Sequence, residues 1–248
     1  MLYSDSMSSD KSDGILQEEP LRQIETAVVF DHLDCCETVF TLKVRSNDSS
    51  TVVNGLSRII ELAGGVAYNG DPNDPDRALL ATSGCCELIV DIFTKHCNDI
   101  NVIKTACNAL RNVARNESNA KRLASIGGCD AVLSALRRHL VDLDTALEGC
   151  IAVANLAKID GICTQLGEKG GCEVVVDILI QHVNSSSTAR FGCMAVGNLA
   201  VNEKNSSELG GIGACKAVIQ AMRTHASDGR VVQQVLIMAI YGQFYPLN

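Results

Sequence analysis

Tryptophan is absent from this chain of 248 residues, and aromatic residues supply only 4% of it. A core without large rings must be filled by Ala, Val, Leu, Ile, Cys and Gly, which suits helices packed close together. Basic charge is scarce too: 21 Lys and Arg against 29 Asp and Glu give a net charge of −8. A nucleic-acid footprint needs a basic face or stripe, so no nucleic-acid partner is expected. No apolar run approaches the ~18 residues of a membrane span, and MLYSDSMSSDKSDG lacks the apolar stretch of a signal peptide. No membrane insertion is therefore expected. The expected compartment is the cytoplasm, with the nucleus as the alternative. Also missing are GxSxG, a P-loop, a GxGxxG after a strand and HExxH, so no enzyme and no cofactor is expected.

Cysteine, in contrast, is plentiful, with 12 residues and no CxxC pair among them. Adjacent pairs such as Cys35–Cys36 and Cys85–Cys86 do not suit zinc, and no metal site is expected. The spacing of the cysteines is the main signal. Cys86, Cys129, Cys172 and Cys215 recur every 43 residues. His96, His139, His182 and His225 keep the same period, as do Cys107, Cys150, Cys193 and Asn112, Asn155, Asn198. A fixed period of this length means one structural unit copied end to end. The usual product of such an array is an extended binding surface.

Aligned copies show helical periodicity. Cys86, Ile89, Val90 and Phe93 are spaced i, i+3, i+4, i+7, and Cys129, Cys172 and Cys215 begin matching stripes. Gly84, Gly127–Gly128, Gly170–Gly171 and Gly213 precede this helix and permit a sharp turn into it. A longer helix follows, with Ile103, Ala106, Cys107, Leu110, Val113 and Ala114 repeated twice downstream. The small residues Ala106, Gly149 and Gly192 predict close helix packing there. A short third segment closes each unit, with Leu123, Leu166 and Leu209 as its buried rung. The expected fold is all-α, with three helices per roughly 43-residue unit.

Upstream, residues 21–83 read as a degenerate copy. Cys36–Ser46 aligns with Cys86–His96 at an offset of 50, and Thr51–Ala63 supplies the long helix. A Gly, Pro, Asn and Asp-rich insert spans 65–76. Leu21–Leu33 is expected to form a partial helix, and residues 1–20 a disordered, Ser/Asp-rich tail. Residues 84–248 hold four copies, the last incomplete. Val232, Val235, Leu236 and Ile240 would then be left apolar at an uncapped end, through which self-association is expected.

With its three-helix period and the segments CNALRNVARN, CIAVANLAKI and CMAVGNLAVN, the chain resembles the armadillo repeat family. The resemblance covers roughly residues 35–241 and implies a right-handed superhelical solenoid. In that family the third helices line a concave groove, and an Asn on them commonly holds the backbone of an extended peptide. The matching positions are Asn112, Asn155 and Asn198; the first unit has Glu61 and the last Tyr241 there. In importin-α-like receptors a Trp lies four residues earlier, where this chain has Asn108, Ile151 and Met194. Nuclear-import-signal recognition is not implied.

A side-chain amide offers a donor and an acceptor that match a peptide unit. Each such Asn could equally bond a neighbouring turn and fix helix packing, and both readings stand on sequence. Lys104, Arg111, Arg115, Lys158 and Arg190 lie around the ladder as a basic line, broken by Leu147 and Val201. That line favours an acidic or phosphorylated segment, or else is an ordinary solvated face. Units stacked at about 10 Å and a chain extended at about 3.3–3.6 Å per residue would let three rungs engage about six residues. The four histidines end their helices, where His can satisfy terminal carbonyls. Two functions remain: a protein-binding scaffold that holds an extended peptide in the groove, or a regulatory or structural segment of a larger protein, such as a kinase arm or an armadillo-type guanine-nucleotide exchange factor.

Overall fold

The computed structural model describes residues 37–43, 47–64 and 82–240. The expected tail, the helix over 21–33, the insert at 65–76 and Tyr241 lie outside the described residues. Those described form an all-helical array without strands.

After a short helical segment at 37–43 comes α1 (Ser49–Gly64). Three complete three-helix sets follow. They are α2 (Cys85–Lys95), α3 (Ile100–Val113) and α4 (Glu117–Ser125); α5 (Gly128–Arg138), α6 (Leu143–Leu156) and α7 (Asp160–Glu168); and α8 (Gly171–Gln181), α9 (Ser186–Leu199) and α10 (Glu203–Gly211). The helices α11 (Ala214–Thr224) and α12 (Gly229–Ile240) follow. From α2 to α12, equivalent helices start 43 residues apart. The long helices α1, α3, α6, α9 and α12 pack side by side as a continuous row, each on the next.

Local chemistry fixes these boundaries. Gly84, Gly127, Gly170 and Gly213 enter their helices with φ of 82°, 95°, 75° and 84°, a region that L side chains rarely adopt. Each long helix begins on a capping side chain. Asp99 accepts from the N–H groups of Asn101 and Val102, Asp142 from Thr145, Ser185 from Thr188 and Asp228 from Arg230. These caps form a further 43-residue ladder, at residues 99, 142, 185 and 228.

The buried faces are wider than the expected stripes. In α2, Leu88 and Ile92 are buried with Cys86, Ile89 and Phe93, while Val90 is only half-buried. Leu123, Leu166 and Leu209 are buried as expected. Glycine serves the packing directly: a Cβ on Gly149 would sit 2.3 Å from Leu136 Cδ2, and one on Gly192 2.7 Å from Leu179 Cδ2. What the missing Cβ admits is thus a leucine side chain from the preceding helix. Gly55 admits Leu42 in the same way, at 2.4 Å. Leu42 therefore holds the place before Gly55 that Leu136 holds before Gly149. The helical segment 37–43 is offset by 51 residues from α2, and the expected offset of 50 is corrected.

Six of the seven laddered cysteines are buried, and Cys215 is half-buried. Burial pushes the Cys86, Cys129, Cys150, Cys172 and Cys193 thiols up to about 12. They are protonated, unreactive core groups.

Candidate protein-binding surface

The outward side of the long-helix row carries the ladder asparagines and the cations that the sequence singled out, although Ile151 and Asn155 on it are buried, each 8% exposed. At one register α3, α6, α9 and α12 present Asn108, Ile151, Met194 and Ile237; one turn earlier they present Lys104, Leu147, Arg190 and Gln233. The following turn bears Asn112, Asn155 and Asn198, and beyond it lie Arg115, Lys158 and Val201. The surface grades from polar on α3 to apolar on α9 and α12. Met194 is half-buried, Ile237 is 39% exposed and Val201 is 57% exposed.

Two of the three ladder asparagines hold the array together. Asn155 Nδ2 donates to Arg111 O at 2.9 Å, and Asn198 Nδ2 donates to Ala154 O at 2.8 Å. Both acceptors lie in the last turn of the preceding long helix, where carbonyls have no intrahelical partner. Each Asn therefore caps the long helix of the unit before it. Asn112 differs: its Nδ2 donates to Asn108 O at 2.9 Å and to Asn108 Oδ1 at 2.7 Å, within its own helix. One N–H of Asn155 and of Asn198 is thus committed between units, which accords with the packing reading of these two residues. Asn155 Oδ1 also accepts from Lys158 Nζ at 3.0 Å.

The histidines perform the same task elsewhere. The Nε2–H of His139 donates to Cys97 O at 2.8 Å, His182 to Leu140 O at 2.7 Å and His225 to Val183 O at 2.8 Å. A carbonyl can only accept, so the bond fixes Nε2 as the protonated nitrogen. The backbones of these residues end α5, α8 and α11, yet each ring reaches into the preceding unit rather than to its own helix.

The basic line needs correction. Lys104 Nζ lies 3.8 Å from Asp144 Oδ2, and Arg111 Nε 2.7 Å from Glu148 Oε2. Carboxylates one unit downstream thus neutralise the first two cations of the line. Burial raises the pKa of Glu148, and Asp144 adds to the rise, although the Arg111 charge opposes both. Arg190 lies 4.9 Å above the Phe191 ring, a cation–π contact on the surface itself. Lys158 is different. Burial, then the Arg115 charge, hold its ammonium below the usual lysine pKa.

Among the described residues no group of three or more His, Cys, Asp or Glu is placed to hold a metal ion. No helix of the described residues is long and apolar enough to cross a membrane.

No protein-family model and no curated protein matches the chain. Among solved structures, it is similar to the crystal structure of an engineered protein from the Northeast Structural Genomics Consortium. The TM-score is 0.50 at 19% identity, over 86% of this chain and 99% of that one. At that identity the likeness concerns fold alone.

Proposed function

We infer that this chain is an armadillo-repeat solenoid that binds an extended segment of another protein along its row of long helices. The observation that carries the reading is the surface of that row. Every unit presents side chains at the same registers, from Lys104 and Asn108 on α3 to Ile237 on α12. Repetition of this kind matches a ligand whose backbone also repeats. The row is non-catalytic on this reading: its thiols are protonated, and its carboxylates Asp144 and Glu148 are engaged with Lys104 and Arg111. The test is affinity capture with the wild type and with an Arg190→Glu/Met194→Glu variant whose melting temperature is unchanged. A partner list that is the same for both removes the row as the binding surface.

A second reading, a segment that stacks on further helical structure in a larger assembly, is favoured by Leu236. It is 52% exposed on α12, where Cys107, Cys150 and Cys193 at the same register are fully buried by the following unit. Ile219 on α11 is 44% exposed, against 3% for Val176 at its register on α8. Sedimentation of the wild type and Leu236→Glu separates the readings: a concentration-dependent mass lost in the variant favours stacking.

A further inference from the structure

Arg190 stands on the row where the chain supplies no counter-ion. Its register is that of Lys104, two units upstream, and Lys104 Nζ lies 3.8 Å from Asp144 Oδ2 of the next long helix. The residue two units beyond Asp144 is Arg230, so the place of the counter-ion holds a second cation. Arg230 is matched within its own turn, with Nη2 3.1 Å from Asp228 Oδ2 and Nε donating to Asp228 Oδ1 at 3.2 Å. Arg190 has no carboxylate within ion-pair distance among the described residues. What holds it is the Phe191 ring, whose centroid lies 4.9 Å from the guanidinium carbon. A ring restrains a long side chain and attracts its charge, but it carries no net charge to neutralise it.

The ground around Arg190 is apolar. In the seam between α3 and α6, Arg111 Nε lies 2.7 Å from Glu148 Oε2. One unit on, the same two positions are Ala154 and Phe191, a methyl group and an aromatic ring. Leu147 on α6 and Met194 on α9 are half-buried, and Ile237 on α12 is 39% exposed. The α3 end of the row thus pairs Lys104 and Arg111 inside the chain, while the α9 end is apolar around an unmatched guanidinium. An ion pair formed there is screened less than one in open water. One cation matches the single charge of a carboxylate, whereas a phosphate dianion would leave charge unmatched.

We propose that Arg190 is the carboxylate anchor of the row: its guanidinium takes an Asp or Glu side chain of an extended partner segment, whose neighbouring aliphatic side chains rest on Met194 and Ile237. The proposal rests on the row being the protein-binding surface and names what that surface selects.

The test uses the full chain and fluorescein-labelled degenerate peptide pools in a polarisation assay. Four pools fix Glu, Gln, Lys or phosphoserine at the centre between leucines, and a fifth fixes Glu between serines. The Glu pool with leucines should bind at least about tenfold more tightly than the Gln and Lys pools, an increment that a charge-assisted contact supplies. It should also bind more tightly than Glu between serines. Arg190→Gln should erase the preference for Glu, and Met194→Ser should weaken only the preference for leucine. Arg190→Glu should turn the preference towards Lys, a gain that a misfolded variant cannot give. Equal binding of the Glu, Gln and Lys pools by the wild type overturns the anchor while leaving the row as a protein-binding surface. A Glu preference that survives Arg190→Gln also overturns it. Phosphoserine bound tenfold or more tightly than Glu overturns the carboxylate assignment. If no pool binds the wild type, the reading of the row fails, and the anchor fails with it.

Discussion

Asn198 Nδ2 donates to the carbonyl of Ala154 at 2.8 Å, joining two helices from successive units across 44 residues of sequence. The bond satisfies a helix-terminal carbonyl that has no partner in its own helix. Such an amide resembles a ligand contact in the sequence, while in the fold it is a joint between units. Removing it has structural consequences first. Asn198→Ala should lower stability by about 1 kcal/mol, the net worth of a typical hydrogen bond, and Asn155→Ala by a similar amount. Urea titrations of both variants check this; midpoints unchanged from the wild type would show that the joints contribute nothing.

Close packing at glycine gives a sharper result. Gly149→Ala should destabilise by about 1–3 kcal/mol despite the better helix propensity of alanine, because its Cβ meets Leu136 Cδ2 at 2.3 Å. Adding Leu136→Ala should relieve the clash, so the double variant should lose less than the two single losses combined. A double-mutant cycle measures the coupling. Strict additivity would mean that the helices simply move apart.

Asp142 caps α6 through the Thr145 N–H at 2.8 Å. Asp142→Ala should cost about 0.5–2 kcal/mol. Burial acts to raise the pKa of Asp142, yet bonds from Thr145 and the charges of Lys104 and His139 leave it lowered. A lowered folded-state pKa means stability that is present above the ordinary aspartate value and lost as pH falls through the folded one. The gap between wild type and Asp142→Asn should therefore be widest near neutral pH and narrow in acid. A gap that widens in acid contradicts the cap.

Glu148 has the opposite sign. Burial raises its pKa in spite of Arg111. Its contribution is thus fully present below the unfolded-state value and is lost as pH rises through the folded one. Glu148→Gln should accordingly be neutral or stabilising near pH 7 and should lose that advantage at acidic pH. Thermal melts across that range decide it, and a variant less stable than wild type at pH 7 alone would show that the Arg111 pairing outweighs desolvation.

How much of this was legible in the sequence depends on how far each interaction reaches. The 43-residue period, the positive-φ glycines and the buried leucines such as Leu123 repeat within each unit, so alignment of the copies found them. The caps Asp99, Asp142, Ser185 and Asp228 are equally periodic, but a capping Asp or Ser differs from an ordinary surface residue only once the helix start is placed. The joints were not legible. Asn155 to Arg111 O and His182 to Leu140 O depend on how one unit sits on the next, and periodicity carries no distance between units. The basic line failed for the same reason, since Glu148 is remote from Arg111 in sequence and adjacent to it in the array. The offset of the first unit is 51 rather than 50, because the missing Cβ of Gly55 places Leu42, a contact that residue type at Cys36 does not reveal.

The central claim, that the row of long helices binds an extended protein segment, is tested most directly by site-specific photocrosslinking. A benzophenone side chain would replace Asn108, Met194 or Ile237 on the row, and Ile180, 60% exposed on α8, as the control position. Mass spectrometry should then recover one continuous partner segment from the three row positions, with crosslink sites ordered along it from α3 to α12, and none from Ile180. Crosslinks from Ile180 as strong as those from Met194, or row positions that capture unrelated segments in no order, would contradict it.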